Sequence, residues 1–230
     1  MIELLIDLVR MAHLGFFAVG VGCAVFMEGV VLSRARTLID LEEIALIERG
    51  HRQILYSLAG LWATGLILIG VRTGLDPAAI TPKLYAKLAV VTALTINALL
   101  IGRIAIPMLE RALYGDLSRL KAHELAALGA VAGLSAAGWF SGLALGVVGH
   151  LKTASPALLW PLFGLILGGG AIAGAILSLR AGRIGPEAPL LPLAHLKALL
   201  GSRRGARNGL HTARKETTHA PISGDIWGRA

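Results

Sequence analysis

Five long apolar segments, separated by short polar stretches, dominate the first 180 residues of this chain. A segment of about 20 apolar residues is long enough to cross about 30 Å of hydrocarbon as a helix, and the helix satisfies its own backbone hydrogen bonds there. The sequence therefore predicts an all-α integral membrane protein, a bundle of five transmembrane helices. The predicted spans are residues 4–32, 53–71, 84–108, 124–151 and 157–179.

The composition supports one membrane domain rather than a soluble fold. Mean hydropathy is +0.71, and only 16% of the residues are charged, against about a quarter in soluble domains. We expect a transmembrane bundle over residues 1–180 and a proline-interrupted membrane-surface segment over 181–200. The polar, basic stretch 201–230 contains few large apolar residues and is expected to be a disordered tail. Cys23 is the only cysteine, which excludes a disulfide framework within the chain.

The basic residues predict an orientation in the membrane. The formal net charge is +8, and Lys and Arg gather after the first and third segments and beyond residue 180. By the positive-inside rule, the N-terminus lies outside and the C-terminus lies in the cytoplasm, in a bacterial inner membrane. Arg203, Arg204 and Arg207 would favour the anionic lipids of the cytoplasmic leaflet. Nucleic acid is not expected as a partner, because the basic residues are not interleaved with aromatic residues on a polar face.

The first apolar segment carries ionisable residues, which are costly inside a bilayer. At 100° per residue, Asp7, Arg10, His13 and Glu28 share one side of the helix. This side is expected to face other helices or a wet cavity, because hydrocarbon offers these groups no partner.

Opposite charges at matching depth predict ion pairs between helices, Glu28 with Arg103 and Asp7 with Lys87. Asn97 lies near mid-membrane and is expected to bond to Thr64 or to a backbone carbonyl. The predicted buried charge and polar network comprises Asp7, Arg10, Glu28, Lys87, Asn97 and Arg103. Its role is either to hold the helices in register or to handle protons or ions.

Small residues recur at helical spacing in the last two spans. Such ridges let helix backbones approach closely, and they predict tight packing within the chain or a face for self-association. A flat cofactor lying against the glycines is a further alternative. The glycines are Gly138, Gly142, Gly146, Gly164, Gly168, Gly170 and Gly174.

Histidines on different helices suggest a cofactor site. His13 and His150 are predicted on the outer side, and His51 lies at the cytoplasmic end of the second span. Imidazoles from facing helices can bind the iron of a b-type haem axially, or another metal ion. The predicted site uses His13, the favoured metal ligand, with His150 or His51. The alternative for each histidine is a structural, hydrogen-bonded role.

The second and third spans resemble the bacterial copper-resistance D (CopD-like) membrane domain. The similarity lies in residues 61–65 (LWATG) and 84–88 (LYAKL), followed by Asn97 and Arg103, with His13 on the first helix. It covers about residues 2–107. The resemblance implies a polytopic inner-membrane protein that handles copper or binds haem. Copper is disfavoured, because the sequence lacks the methionine- or cysteine-rich cluster that Cu(I) prefers.

Three functional hypotheses follow. The leading one is a haem b- or metal-binding redox or transport component. The second is a non-catalytic membrane subunit, a homo-oligomer or an assembly partner of a larger complex. The third is an ion- or proton-coupled permease, disfavoured because the sequence has no inverted repeat or pair of broken helices. Motifs of hydrolases, kinases and peptidases are absent from the sequence.

Overall fold

The computed structural model describes residues 1–33, 41–113 and 120–183, and this part of the chain is all-helical. The predicted disordered tail, 201–230, and most of the predicted surface segment, 181–200, lie outside the described residues. The helices are α1 (Ile2–Ser33), α2 (Leu41–Thr73), α3 (Pro82–Leu100), α4 (Ile106–Arg111), α5 (Ala122–Val147) and α6 (Pro156–Arg183).

Five helical segments are long and apolar enough to cross a membrane, which fits the predicted all-α membrane bundle. Four of them are α1, α2, α5 and α6. The remaining segment, Pro82–Arg111, joins α3 to α4. Successive segments run in opposite directions between two ends of the bundle. We call these the N-terminal end, where α1 begins, and the C-terminal end, where α6 ends.

The second span is longer than the sequence predicts. The sequence predicts a span over residues 53–71, but α2 runs without a break from Leu41 to Thr73. At 1.5 Å per residue its 33 residues measure about 50 Å, against a hydrocarbon thickness of about 30 Å. The helix begins earlier than the predicted span because Asn, Gly and Pro, which stop helices, are absent between residues 41 and 49.

The connection between α2 and α3 is a compact turn, as its glycine and prolines predict. Gly74 and Leu75 both have positive φ angles, 60° and 64°. The Asp76 carboxylate caps a single 3₁₀ turn by accepting from the Ala78 N–H. Thr81 then caps the start of α3. This turn fixes where α2 ends and α3 begins, and so sets the depth of the residues that line the N-terminal end.

A π-helical turn, Ile101–Ala105, joins α3 to α4. The Ile106 N–H bonds the carbonyl five residues back, at Ile101. Pro107 follows immediately, and its ring would crowd the carbonyl of Arg103 in a regular α-helix. The wider turn accommodates this proline, and it changes the rotation of every residue that follows.

A glycine seam joins α5 to α6. A Cβ on Gly129 or Gly133 would collide with the backbone of Gly174 or Gly170, so the two helices pack backbone to backbone. This confirms tight packing for Gly170 and Gly174. Gly138 instead packs against the Leu94 side chain of α3, and Gly142 packs against the Phe17 ring of α1. Gly146, Gly164 and Gly168 face open space.

Candidate functional site

A cavity of about 760 Å³ opens among α1, α2, α3 and α5 at the N-terminal end of the bundle. Its walls are mainly apolar, and its size suits a small amphiphilic molecule. Phe17, Trp62 and Trp139 provide aromatic surface. Gly146 provides a place where a ligand can approach the helix backbone, whereas Gly65 lies against His13 and Gly142 against Phe17.

Three cationic side chains from three different helices line the cavity. They are Arg10 of α1, Arg72 of α2 and Lys87 of α3. All three residues are exposed as well as lining the cavity, as expected for side chains at its open side. Among the described residues, no acidic side chain lines it. The cavity therefore combines an apolar interior with a positively charged entrance, an arrangement that favours an amphiphile with a negatively charged end.

Asp7 lies just outside the cavity and partly neutralises its entrance. Its carboxylate pairs with Arg10 at 2.8 Å, between residues three apart on α1, and both side chains are about two-thirds exposed. The predicted pair of Asp7 with Lys87 is replaced by this local pair. Lys87 instead lies in the field of other cations, among them Arg72 and Lys83.

The tautomer of His13 follows from its hydrogen bond to Thr64. The two side chains meet at 2.8 Å through His13 Nδ1 and Thr64 Oγ1. Thr64 Oγ1 also lies 2.6 Å from the carbonyl oxygen of Gly60. A carbonyl oxygen can only accept, so the Thr64 hydroxyl donates to Gly60. This geometry assigns His13 Nδ1 as the donor to Thr64, which leaves a lone pair on Nε2 of the neutral imidazole. His13 also lines the cavity, and an Nε2 lone pair is the group that a metal-containing ligand would bind.

The aromatic walls are held in place by specific contacts. Trp62 donates from Nε1 to Thr95 Oγ1 at 3.1 Å, which ties α2 to α3. Trp139 is only 3% exposed and meets Phe17 edge to face, with ring centroids 5.6 Å apart. Its ring also lies directly against Gly20 of α1. These contacts leave the cavity with rigid, flat walls.

The structure does not bring the three candidate histidines together. His51 lies on α2, thirteen residues from the Thr64 that holds His13, which corresponds to about 20 Å along the helix axis. Two nitrogens on one metal ion lie within about 4 Å of each other. His150 is exposed on the 3₁₀ turn after α5 and is not part of the cavity wall. Only His13, of these three, faces the cavity.

The remaining members of the predicted polar network lie deeper along the bundle. Asn97 is 1% exposed and donates from Nδ2 to the carbonyl of Val131 at 2.9 Å, the predicted bond to a backbone carbonyl. Glu28 contacts Ser135 of α5. Arg103 is exposed on the π-helical turn, and the predicted pair with Glu28 is not found among the ion pairs of the described residues.

Sequence reasoning missed two features of the cavity. Arg72 and Trp62 are absent from the candidate site residues that the sequence indicates, although both line the cavity. The signal that could have found Arg72 is its position one residue before the end of α2, at the same end of the bundle as Lys87.

Protein ligands for a bare metal ion are not clustered in the part of the chain that the structure describes. It contains no group of three or more His, Cys, Asp or Glu side chains close enough to hold an ion. Comparison with protein-family models, curated proteins and solved structures gave no match to this chain.

Proposed function

We propose that this chain is a multi-pass membrane protein that binds a b-type haem in the cavity at the N-terminal end. The observation that carries the proposal is the combination of a lone imidazole, whose Nε2 is free, with an apolar, glycine-lined space and a cationic entrance. Haem b has matching features: an iron that binds imidazole nitrogen, a flat apolar ring and two carboxylates.

Each group of residues has a separate role in this proposal. His13 would bind the iron through Nε2, and Thr64 fixes the orientation of the imidazole by accepting from Nδ1. Arg10, Arg72 and Lys87 would pair with the carboxylates at the entrance. The donor set fits a haem held by one histidine, in place of the two-histidine site expected from the sequence. When bound, haem would supply one-electron redox chemistry.

The positive-inside rule, applied to the whole sequence, favours an orientation with this cavity toward the outer face of a bacterial cytoplasmic membrane. Lys and Arg gather after the first and third apolar segments and beyond residue 180, on the side of the chain opposite to the cavity. In this orientation, the haem carboxylates would lie near the outer surface and the ring would extend between the helices.

The test is haem titration of the detergent-purified protein, followed by its Soret absorption. We expect saturable binding of one haem per chain and a reduced-minus-oxidised difference spectrum. His13→Ala should abolish the imidazole-ligated spectrum. His150→Ala, outside the cavity, is the matched control and should leave it unchanged.

Two outcomes would overturn the proposal. One is a wild-type protein that shows no saturable spectral change. The other is a His13→Ala variant that keeps the wild-type spectrum. Without haem binding, the non-catalytic subunit becomes the favoured function, with the cavity holding an anionic lipid from the bilayer.

A further inference from the structure

A second polar site lies near the middle of the bundle, apart from the cavity. It surrounds Ser135, which is about 18–20 Å from either end of α5. Glu28 of α1 contacts the Ser135 side chain. Asn97 of α3 bonds to the Val131 carbonyl, which in a regular α-helix also accepts the N–H of Ser135. Side chains from two helices therefore converge on one turn of α5.

Packing around this turn supports that convergence. Ala24, one turn before Glu28, and Ala98, next to Asn97, belong to the same buried apolar cluster. The cluster also contains Trp139, one turn from Ser135. The polar groups thus sit at the edge of a dry core shared by three helices, where an unpaired polar atom costs free energy.

Two acceptor atoms at this site have no hydrogen-bond partner in the described structure. They are Glu28 Oε1 and Asn97 Oδ1, and both are buried. Asn97 is 1% exposed, and its Nδ2 is already used by Val131. The Ser135 hydroxyl has one proton to give. Glu28 Oε1 and Asn97 Oδ1 therefore both lack a hydrogen-bond donor or a positive charge.

The charged side chains of the described structure do not neutralise Glu28. No basic side chain pairs with Glu28 among the residues that the structure describes. At this depth α2 places Gly50 against Met27, the residue before Glu28. His51, next to Gly50, packs against Gly102 of the π-helical turn. The other described charged or titratable side chains toward this end are Glu42, Glu43, Glu48, Arg49 and Arg52 of α2, Arg103 of the π-helical turn, Glu110 and Arg111 of α4, Lys121, His123 and Glu124 at the start of α5, and Arg180 of α6.

We propose that Glu28, Asn97 and Ser135 form a binding site for one monovalent cation, either a proton or Na⁺. A single carboxylate in an apolar interior is neutralised by a single positive charge, and the three side chains supply only oxygen ligands, which suit a hard cation. A proton on Glu28 would convert one orphaned acceptor into a donor. Na⁺ would be bound by both orphaned oxygens and the serine hydroxyl. The site is independent of haem binding.

The experiment measures Tm of the detergent-purified full chain as NaCl replaces choline chloride at constant ionic strength. For a Na⁺ site, the wild-type Tm rises with NaCl, and Glu28→Gln shows no such rise. Ser135→Ala, which keeps the carboxylate, should need about tenfold more Na⁺ for the same rise, since one ligand is lost. Glu110→Gln, on the exposed surface of α4, is the matched control and should respond like wild type.

Infrared spectroscopy distinguishes the proton. If a proton occupies the site, the wild-type protein at neutral pH shows the carbonyl stretch of a protonated carboxylic acid. Glu28→Gln removes this band and Glu110→Gln keeps it, while Tm is insensitive to Na⁺. The proposal is overturned if Tm does not depend on Na⁺ and Glu28 is ionised at neutral pH. A bridging water would produce that pair of results.

Discussion

His13 Nδ1 and Thr64 Oγ1 lie 2.8 Å apart, and this contact joins α1 to α2 at the base of the cavity. Because the Thr64 hydroxyl donates to the Gly60 carbonyl, it acts toward His13 as an acceptor. The imidazole is therefore held in one tautomer and one orientation before any ligand arrives.

Thr64→Val should weaken haem binding without removing the iron ligand. Valine has the same shape but cannot accept from Nδ1, and loss of such a partner typically reduces metal affinity about 10- to 100-fold. Haem titration gives the dissociation constant. Thr92→Val is the control, since Thr92 also donates to a carbonyl one turn back but is exposed outside the cavity. Equal affinities for the two variants would contradict the tautomer argument.

Lys87→Met should reduce affinity for haem about 10- to 150-fold, because one charge-assisted bond to a carboxylate, typically about 1.5–3 kcal/mol, is lost. The Soret position should be unchanged, since His13 is untouched. Lys121→Met, at the C-terminal end, is the control and should bind as wild type. A further comparison uses the haem dimethyl ester, which has no carboxylate charge. If Lys87→Met weakened binding of the ester as strongly as binding of haem, the ion-pair role would be excluded.

Asp7→Asn should tighten haem binding by a few fold. The Asp7 carboxylate lies 2.8 Å from Arg10 and competes with a ligand for that guanidinium. The pair is exposed, so its loss should change the free energy of unfolding by less than about 1 kcal/mol. Glu3→Gln, on the first turn of the same helix, controls for the change in net charge. Weaker binding by Asp7→Asn would show that the ion pair positions Arg10 rather than masking it.

Gly133→Ala should lower the free energy of unfolding by about 1–3 kcal/mol, as expected for overpacking. The added methyl group would meet the backbone of Gly170 on α6, which has no flexible side chain to move aside. Denaturation by SDS in mixed micelles measures the change. Gly164→Ala, which meets nothing within 4 Å, should be neutral or slightly stabilising. Equal effects of the two substitutions would argue against close backbone packing at the glycine seam between α5 and α6.

The sequence was sufficient to predict the spans because their length and apolar character are local properties. It also predicted that His13 faces the protein, since the polar side of α1 must avoid lipid. The partners were less predictable. Asp7 pairs with Arg10 on its own helix rather than with Lys87, and Arg103 lies after the start of the π-helical turn, where the regular 100° spacing no longer applies. The cavity combines residues from four helices, so its lining depends on helix rotation.

The π-helical turn has a consequence for mutagenesis of the third span. Its backbone hydrogen bond spans five residues instead of four, so the turn holds one residue more than a regular α-helical turn. A helical wheel drawn through the whole span therefore misplaces the side chains beyond Ala105 by about 100°. Deleting one residue within this turn would restore the regular spiral and drive the Pro107 ring toward the carbonyl four positions earlier. Leu109, now buried beneath α2, would then swing out of its packing position.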